Sequence, residues 1–376
     1  MINIDTIELT AKIQLYPNNN QKQKLLKSML IYKDSCNFLS NRVFEEQDFN
    51  QVSLHYKYYD YMRNEFGIPS QMSSSVIKTV LARYKSIKNN SNNKYYSLIK
   101  FKKLFRDLVH VKDYSIVKNK ISLKTLDERI KLDFDKKMLY KYYTNNTKLS
   151  SAKLVYKNNK FFIHIFVKTP YEKLRKEDIN NIVGIDLGIN FLAVLYDSKG
   201  KTEFIKGRSI KNKRRLFKKQ REELSKVKTP SSRKKLKTLA NKEKDYMNTI
   251  NHTITSDIVN SHEKGTVFIV EDLKGITKNR KRINKKQRYY HSSWAFYDFI
   301  FMLEYKAKLN GQTVLKVDPK YTSQTCPKCG NIDKNNRDSK NHIFKCKNCK
   351  YSSNDDRIGA MNLYNKGLNY ISNYKE

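Results

Sequence analysis

The chain has 376 residues and a mass of 44.6 kDa, a length that predicts two or three domains. Its 76 Lys and Arg against 36 Asp and Glu leave a net charge of +40, and self-repulsion of that size calls for a polyanionic partner, nucleic acid first. Five cysteines are too few for an extracellular disulfide scaffold. No long uncharged apolar run and no leader-like pattern in the first thirty residues are present, which excludes membrane and secretory readings and predicts a cytoplasmic, nucleoid-associated protein.

From Thr6 to Tyr16 apolar and polar residues alternate as in a half-buried strand, which Pro17 and the Asn residues 18–20 end. Leu25, Met29, Tyr32, Cys36, Leu39 and Val43 then recur three or four apart and form the apolar stripe of a helix, with Cys36 a core thiol. A second stripe, Val76, Val80, Tyr84 and Ile87, predicts a helix capped by Ser73 or Ser74. Around these helices Tyr and Lys interleave at 55–66 and 94–105, a pattern that suits either stacking on bases or plain amphipathic surface. Residues 107–170 read as short strands: LVHV, KISL, RIKLDF, AKLVYK and KFFIHIFVK, separated by polar turns. The first strand belongs with them, which makes the helical part an insertion.

From residue 182 the pattern changes. IVGIDLG (182–188), FLAVLYD (191–197) and TEFIK (202–206) are three strands with short connections. A basic helical region covers roughly 207–262, and within 201–248 18 Lys and Arg face 5 acids. Strand TVFIV (266–270), a basic loop at 274–288 with eight Lys or Arg and no acid, a helix near 293–309, strand TVLKV (313–317) and a last helix after Asp356 follow. Three strands, helix, strand, helix, strand resembles the order of ribonuclease-H-type folds.

The clearest chemical signal is Cys326-x2-Cys329, sixteen residues, then Cys346-x2-Cys349. Two such knuckles aim four thiolates at one point and define a closed, structural Zn²⁺ site. With four sulfurs filling the shell, His342 between the knuckles is expected at the surface. Three acids stand out as well: Asp186 inside an apolar strand, Glu271 at the end of another, and Asp356 at the start of the last helix. If the first and fourth strands are neighbours, these carboxylates converge. Converging carboxylates need cations; hard oxygen donors suit Mg²⁺ or Mn²⁺, and two such ions clamp a phosphodiester.

The chain resembles the TnpB family, transposon-encoded RNA-guided nucleases related to type V CRISPR effectors. The resemblance rests on TAKIQLYPNNNQKQKL (10–25), GIDLG (184–188), FIVEDL (268–273), SSWAFYDFIFMLEYKAKLNG (292–311), VDPKYTSQTCPKCG (317–330) and the acidic helix start after the last cysteine pair. It implies a multidomain α+β protein, in which an N-terminal β-barrel (1–16 and 107–175) holds an inserted helical domain (17–106). An RNase-H-like RuvC nuclease domain (180–318 and 352–376) would follow, with a zinc-ribbon insertion (319–351). Asp186, Glu271 and Asp356 fall on the family's three catalytic carboxylates, which hold Mg²⁺ or Mn²⁺. The four cysteines fall on the zinc site. In the closing motif D-x-N-A-A-x-N, Asp356, Ala360 and Asn362 match, while Ile358 and Gly359 depart. The implied partners are a guide RNA from the transposon end and a double-stranded DNA target, cut beside a short adjacent motif at a single site by a monomer bound to RNA. The alternatives are a nuclease-inactive RNA-guided repressor, a compact type V CRISPR effector, and, against the resemblance, a strand-joining transposase.

Overall fold

A computed structural model describes residues 4–90, 97–144, 146–188, 190–273, 296–338 and 341–373. The basic loop at 274–288, and residues 292–295 of the block 292–311, lie outside the described residues. The chain divides into two compact units, Thr6–Pro170 and Tyr171–Glu376 with Met1–Asp5, and each is a mixed α/β body.

The first unit is built on a seven-stranded sheet: β1 (Ile4–Tyr16), β2 (Phe105–Leu108), β3 (Tyr114–Val117), β4 (Lys120–Lys124), β5 (Arg129–Phe134), β6 (Lys148–Lys157) and β7 (Lys160–Glu172). Their order is β2-β6-β7-β1-β5-β4-β3, so the first strand does join the later ones. Of LVHV only Leu108 is in a strand, because Val109 to Asp113 close a hydrogen-bonded turn into β3. β2 and β3 stand at opposite ends of the sheet. A flat seven-stranded sheet would set its edges about 29 Å apart, whereas this turn reaches about 20 Å fully extended. The sheet therefore curls. Across the curl, Arg106 on β2 donates to the Lys124 carbonyl (2.6 Å) and pairs with Asp113 (3.2 Å), both side chains 2% exposed. Tyr114 on β3 donates to the Ser150 carbonyl on β6 at 2.7 Å.

Three helices lie between β1 and β2: α1 (Asn19–Glu46), α2 (Gln51–Phe66) and α3 (Ser70–Asn90); a short α4 (Lys136–Tyr140) follows β5. Asn18 and Gln21 close a capping box at the start of α1. The predicted stripe of α1 is buried throughout. Leu25 and Met29 pack into the sheet core, while Tyr32, Cys36, Leu39 and Val43 pack with α2 and α3. The expected cap at Ser73 or Ser74 is not there. α3 starts at Ser70, directly after Pro69, and Ser73 is fully buried with its hydroxyl on the Tyr59 carbonyl at 3.1 Å. The Tyr/Lys stretch 55–66 is the body of α2: Tyr58, Tyr61 and Phe66 pack against Phe38 of α1, whereas Tyr56 is 92% exposed.

The second unit is centred on five strands, β8 (Asn181–Asp186), β9 (Phe191–Asp197), β10 (Thr202–Lys206), β11 (Thr266–Glu271) and β12 (Thr313–Val317), ordered β10-β9-β8-β11-β12. β8, β11 and β12 run parallel and β9 and β10 antiparallel. Helices α5 (Arg208–Val227) and α6 (Pro230–Asn260) form a hairpin, α7 (Phe296–Leu309) packs on α6, and α8 (Asp355–Asn373) closes the unit. A strand alternates its side chains between faces, and both faces here are covered. Val183, Ile185, Phe268 and Val270 meet the cluster of α6 and α7, while Ile182, Val267, Ile269 and Val317 meet Leu363 of α8. Burial on both faces explains why β8 and β11 read as continuous apolar runs.

α8 lies directly on the β8 backbone. A Cβ on Gly184 would stand 2.1 Å from the Ala360 carbonyl and 2.6 Å from the Tyr364 amide. Neither atom can retreat without moving the helix. Gly184→Ala is therefore expected to cost at least about 3 kcal/mol, above the usual overpacking penalty, read as a lower midpoint in urea unfolding.

Candidate active site

Alternation along the strands selects which acids meet. Ile185 pairs with Val270 in the parallel β8–β11 register, so the next residues, Asp186 and Glu271, end adjacent strands side by side. Counting in twos from Ile182 and Gly184, and from Val267 and Ile269, both carboxylates fall on the face that α8 covers. α8 presents its N-terminus there. Asn354 caps that helix, accepting from the amides of Asp356 and Arg357, both at 3.1 Å. Asp356 is therefore not the cap, and its side chain remains for other contacts. A helix N-terminus favours negative charge, which lets a third carboxylate stand beside the first two.

The electrostatics record the convergence. Burial, then the like charges of Glu271, Asp356 and Asp355, hold the Asp186 carboxyl well above the usual carboxylate range. Burial raises Glu271 as well, against a 2.7 Å hydrogen bond from Thr322 Oγ1 and the charge of Lys366. Asp356, 9% exposed, is raised by burial and by Asp355. Arg337, on the short strand β13 (Arg337–Asp338), is the cation common to all three, lowering each. It bonds Asp355 at 2.9 Å and reaches Asp356 at 3.8 Å.

The two departures from the family motif have structural reasons. A Cβ at Gly359 would stand 2.9–3.1 Å from the three carboxyl atoms of Asp186, so the glycine makes room for that carboxylate against the first turn of α8. Ile358 is fully buried with Cys326, Phe344 and Cys346, anchoring α8 to the cysteine module. Asn362, 5% exposed, donates to the carbonyls of Thr322 (2.7 Å) and Thr325 (2.8 Å). It thereby fixes the loop whose Thr322 holds Glu271.

The four cysteines are gathered as the spacing predicts. Sγ atoms of Cys326 and Cys349, and of Cys329 and Cys346, are 3.6 Å apart, and all four lie within 4.8 Å of one another. A tetrahedron with metal–sulfur bonds of about 2.3 Å has sulfur–sulfur edges of about 3.8 Å, so the cluster can hold a metal. The knuckles share one design: Cys326 bonds across to Asn331, Cys346 to Tyr351, and Gly330 and Lys350 take the same left-handed conformation (φ 72° and 61°). The Asn331 amide draws the Cys329 thiol down to about 6, while burial pushes Cys326 up to about 12.

His342 keeps a partly exposed side chain, 41% accessible, as expected, and also makes contacts inward. With a left-handed backbone (φ 56°) just before β14 (Ile343–Lys345), it sets Nε2 2.7 Å from Asn190 Nδ2 and Nδ1 3.4 Å from Asp355. With Asp355 and Asp356 it forms the second group of metal-capable atoms within 4.8 Å among the described residues. Asp186 and Glu271 belong to neither group, so the three sequence-identified acids surround a wider space. Arg337 and Thr322 carried no sequence signal, since each acts on a segment distant from it in the chain, whereas Asn354, two residues before Asp356, is a cap residue by type.

A mixed α/β multidomain chain with a group of raised carboxylates beside a four-cysteine module is thus the class that fold and site define. Sequence comparison supplies the relationship. Residues 164–277 match the family model described as "Probable transposase", which spans Asp186 and Glu271, and residues 296–363 match the "Cas12f1-like, TNB domain", which spans the cysteines and Asp356. A CRISPR-associated endodeoxyribonuclease Cas12f1 of Syntrophomonas palmitatica is 31% identical over 50% of this chain and 40% of that protein. A Cas12f2 from a Micrarchaeota archaeon is 32% identical over 56% of this chain and 41% of the other. A TnpB-like protein of Methanocaldococcus jannaschii is 29% identical over 62% of this chain and 84% of its own length. The chain is thus similar over part of its length to TnpB-like and Cas12f proteins, and it spans about half the length of the first Cas12f relatives it matches. No helix among the described residues is long and apolar enough to cross a membrane.

Because the folded Asp186 pKa is raised, the native state binds its proton more tightly than the unfolded state does. The stability from this group is full below about pH 4, the unfolded carboxylate range, and is lost as pH rises through the folded value. Asp186→Asn removes that loss. In chelator-treated protein at neutral pH it is expected to raise the thermal midpoint by about 2–4 °C for each kcal/mol relieved, checked by calorimetry at pH 4 and pH 7, with the gain confined to pH 7.

Proposed function

We propose that the chain is an RNA-guided, divalent-metal-dependent DNA endonuclease with a single RuvC-like site. In this reading Asp186, Glu271 and Asp356 are its catalytic carboxylates and Cys326, Cys329, Cys346 and Cys349 hold a structural Zn²⁺. The observation that carries the reading is the convergence of three raised carboxylates, from two adjacent strand ends and one helix start, in a chain of net charge +40. Negative charge concentrated at one point of a strongly basic protein is opposed to binding a polyanion unless cations stand between them. The relatives named as endodeoxyribonucleases or as TnpB-like support the same activity, and the five-stranded order with α8 across it supports the RuvC-like assignment. The curled seven-stranded sheet supports reading the first unit as the barrel that holds the helical insertion.

The site residues fit a hard divalent ion: an all-oxygen donor set whose protonation is favoured by burial and, at Asp186 and Asp356, by neighbouring like charge. Asp186, Glu271 and Asp356 would hold Mg²⁺ or Mn²⁺, which when bound supplies Lewis-acid stabilisation of phosphodiester oxygens. The chain's own part is placement. Thr322 orients Glu271, the α8 turn at Gly359 supports Asp186, and Arg337, pinned by Asp355, places a fixed cation at the rim. Sequence choice would lie with guide pairing, while α5 and α6 grip backbones.

Purified protein with its copurified RNA is expected to cut a matched plasmid in Mg²⁺. Asp186→Ala is expected to abolish cleavage, by at least about 10³-fold, while guide-dependent binding in a mobility-shift assay persists; cutting that survives the change refutes the site. The repressor reading predicts binding without cleavage in the unaltered protein. For the cysteine site, one Zn²⁺ per chain is expected by elemental analysis. Cys346→Ser is expected to lose it and to lower the thermal midpoint of the second unit.

A further inference from the structure

Resting on the reading of a nucleic-acid partner, a groove within the first unit has the chemistry of a binding site. It has a cavity volume of about 610 Å³ between the C-terminal half of α3 and the segment 97–105, within the 300–1,000 Å³ typical of small-ligand sites. Arg83, Lys100, Lys102, Lys103 and Lys153 bring five cations to its lining, and Asp107 is the one acid among the lining residues. That acid is already engaged: Thr79 Oγ1 donates to it at 2.6 Å and Lys153 pairs with it at 3.2 Å. Its charge therefore does little to repel an anion.

The lysines rise from a fixed backbone. Asn37 on α1 grips Phe101 twice, accepting from its amide at 2.7 Å and donating to its carbonyl at 3.2 Å. Ser40 Oγ donates to the Ile99 carbonyl at 2.7 Å. Lys100, Lys102 and Lys103 are exposed on this pinned strap, so little backbone entropy is lost when they meet a ligand. Ile87, Leu98 and Phe101 add an apolar wall to the same groove. Cations alone would suit a duplex lying across the surface. A concave site with an apolar wall suits a phosphate with its own unstacked base.

We infer that this groove holds one unpaired nucleotide of the bound nucleic acid, its phosphates on Lys100, Lys102 and Lys103 and its base against Ile87, Leu98 and Phe101. The full chain is photo-crosslinked to short single strands carrying 4-thiouridine or 4-thiothymidine, and the adducts are mapped by peptide mass spectrometry. Adducts within 83–105 are expected; adducts with RNA alone assign the guide as source, and with DNA alone the target. Adducts confined to other segments overturn the inference. In parallel, K100Q/K102Q/K103Q alters exposed side chains and is expected to keep its thermal midpoint. Its affinity for single strands at 0.1 M salt is expected to fall about 25-fold, and the slope of log affinity against log salt by about 1.4, at about 0.7 for each of the two phosphates that flank one nucleotide. An unchanged slope overturns the groove while the nuclease reading stands. Cleavage that fails in the unaltered protein while the adducts remain overturns the nuclease reading and leaves the groove.

Discussion

The second unit depends on one contact made almost without side chains: α8 resting on the backbone of β8. Gly184 lets the Ala360 carbonyl and the Tyr364 amide come within the space a Cβ would occupy, and Gly359 does the same for the Asp186 carboxylate one turn nearer the helix start. This proximity decides that the helix N-terminus, with its partial positive charge, ends among the acids. A helix lying even one side-chain layer further out would leave Asp186 and Glu271 as two buried charges without that compensation, a costly state.

The cysteine module completes that arrangement from the other side. It enters the chain between β12 and α8, and its core residues pack on Ile358, inside the first turn of the helix. From it Arg337 and His342 reach Asp355, which is 1% exposed. Asp355 is thus where the module is tied to the helix start, and Asp356, one residue on, adds its negative charge to the surroundings of Asp186. The same helix then reaches back through Asn362 to hold the loop of Thr322, and Thr322 holds Glu271. Each carboxylate is positioned by a segment other than its own, so the cluster exists only in the folded chain.

The first unit solves a different problem, curling a seven-stranded sheet whose edge strands are neighbours in sequence. The pair Arg106–Asp113, almost fully buried, and the Tyr114–Ser150 bond tie those edges. A buried ion pair of this kind costs about 3–5 kcal/mol when one partner is removed, because the other charge is left buried and uncompensated. The α1 stripe serves both neighbours, its first turns against the sheet and its later turns against α2 and α3. That division explains why so long a helix is apolar on one line only.

Sequence alone determined what periodicity and spacing encode. The alternating β1, the α1 stripe, the apolar β8 and β11 and the paired cysteine knuckles are local patterns, set by side-chain direction within one element or one turn. It also singled out Asp186, Glu271 and Asp356, because a charge at the end of an apolar run is legible as an exception. Where local pattern competes with packing, it misled. Ser73 looked like a cap and is a buried contact to Tyr59. Only the tertiary structure decided that Asp186 and Glu271 share the face covered by α8, that Gly359 leaves room where a methyl would press, and that Arg337 acts on all three acids. Those outcomes depend on register and on the distance between segments far apart in the chain, quantities that no single window of sequence contains.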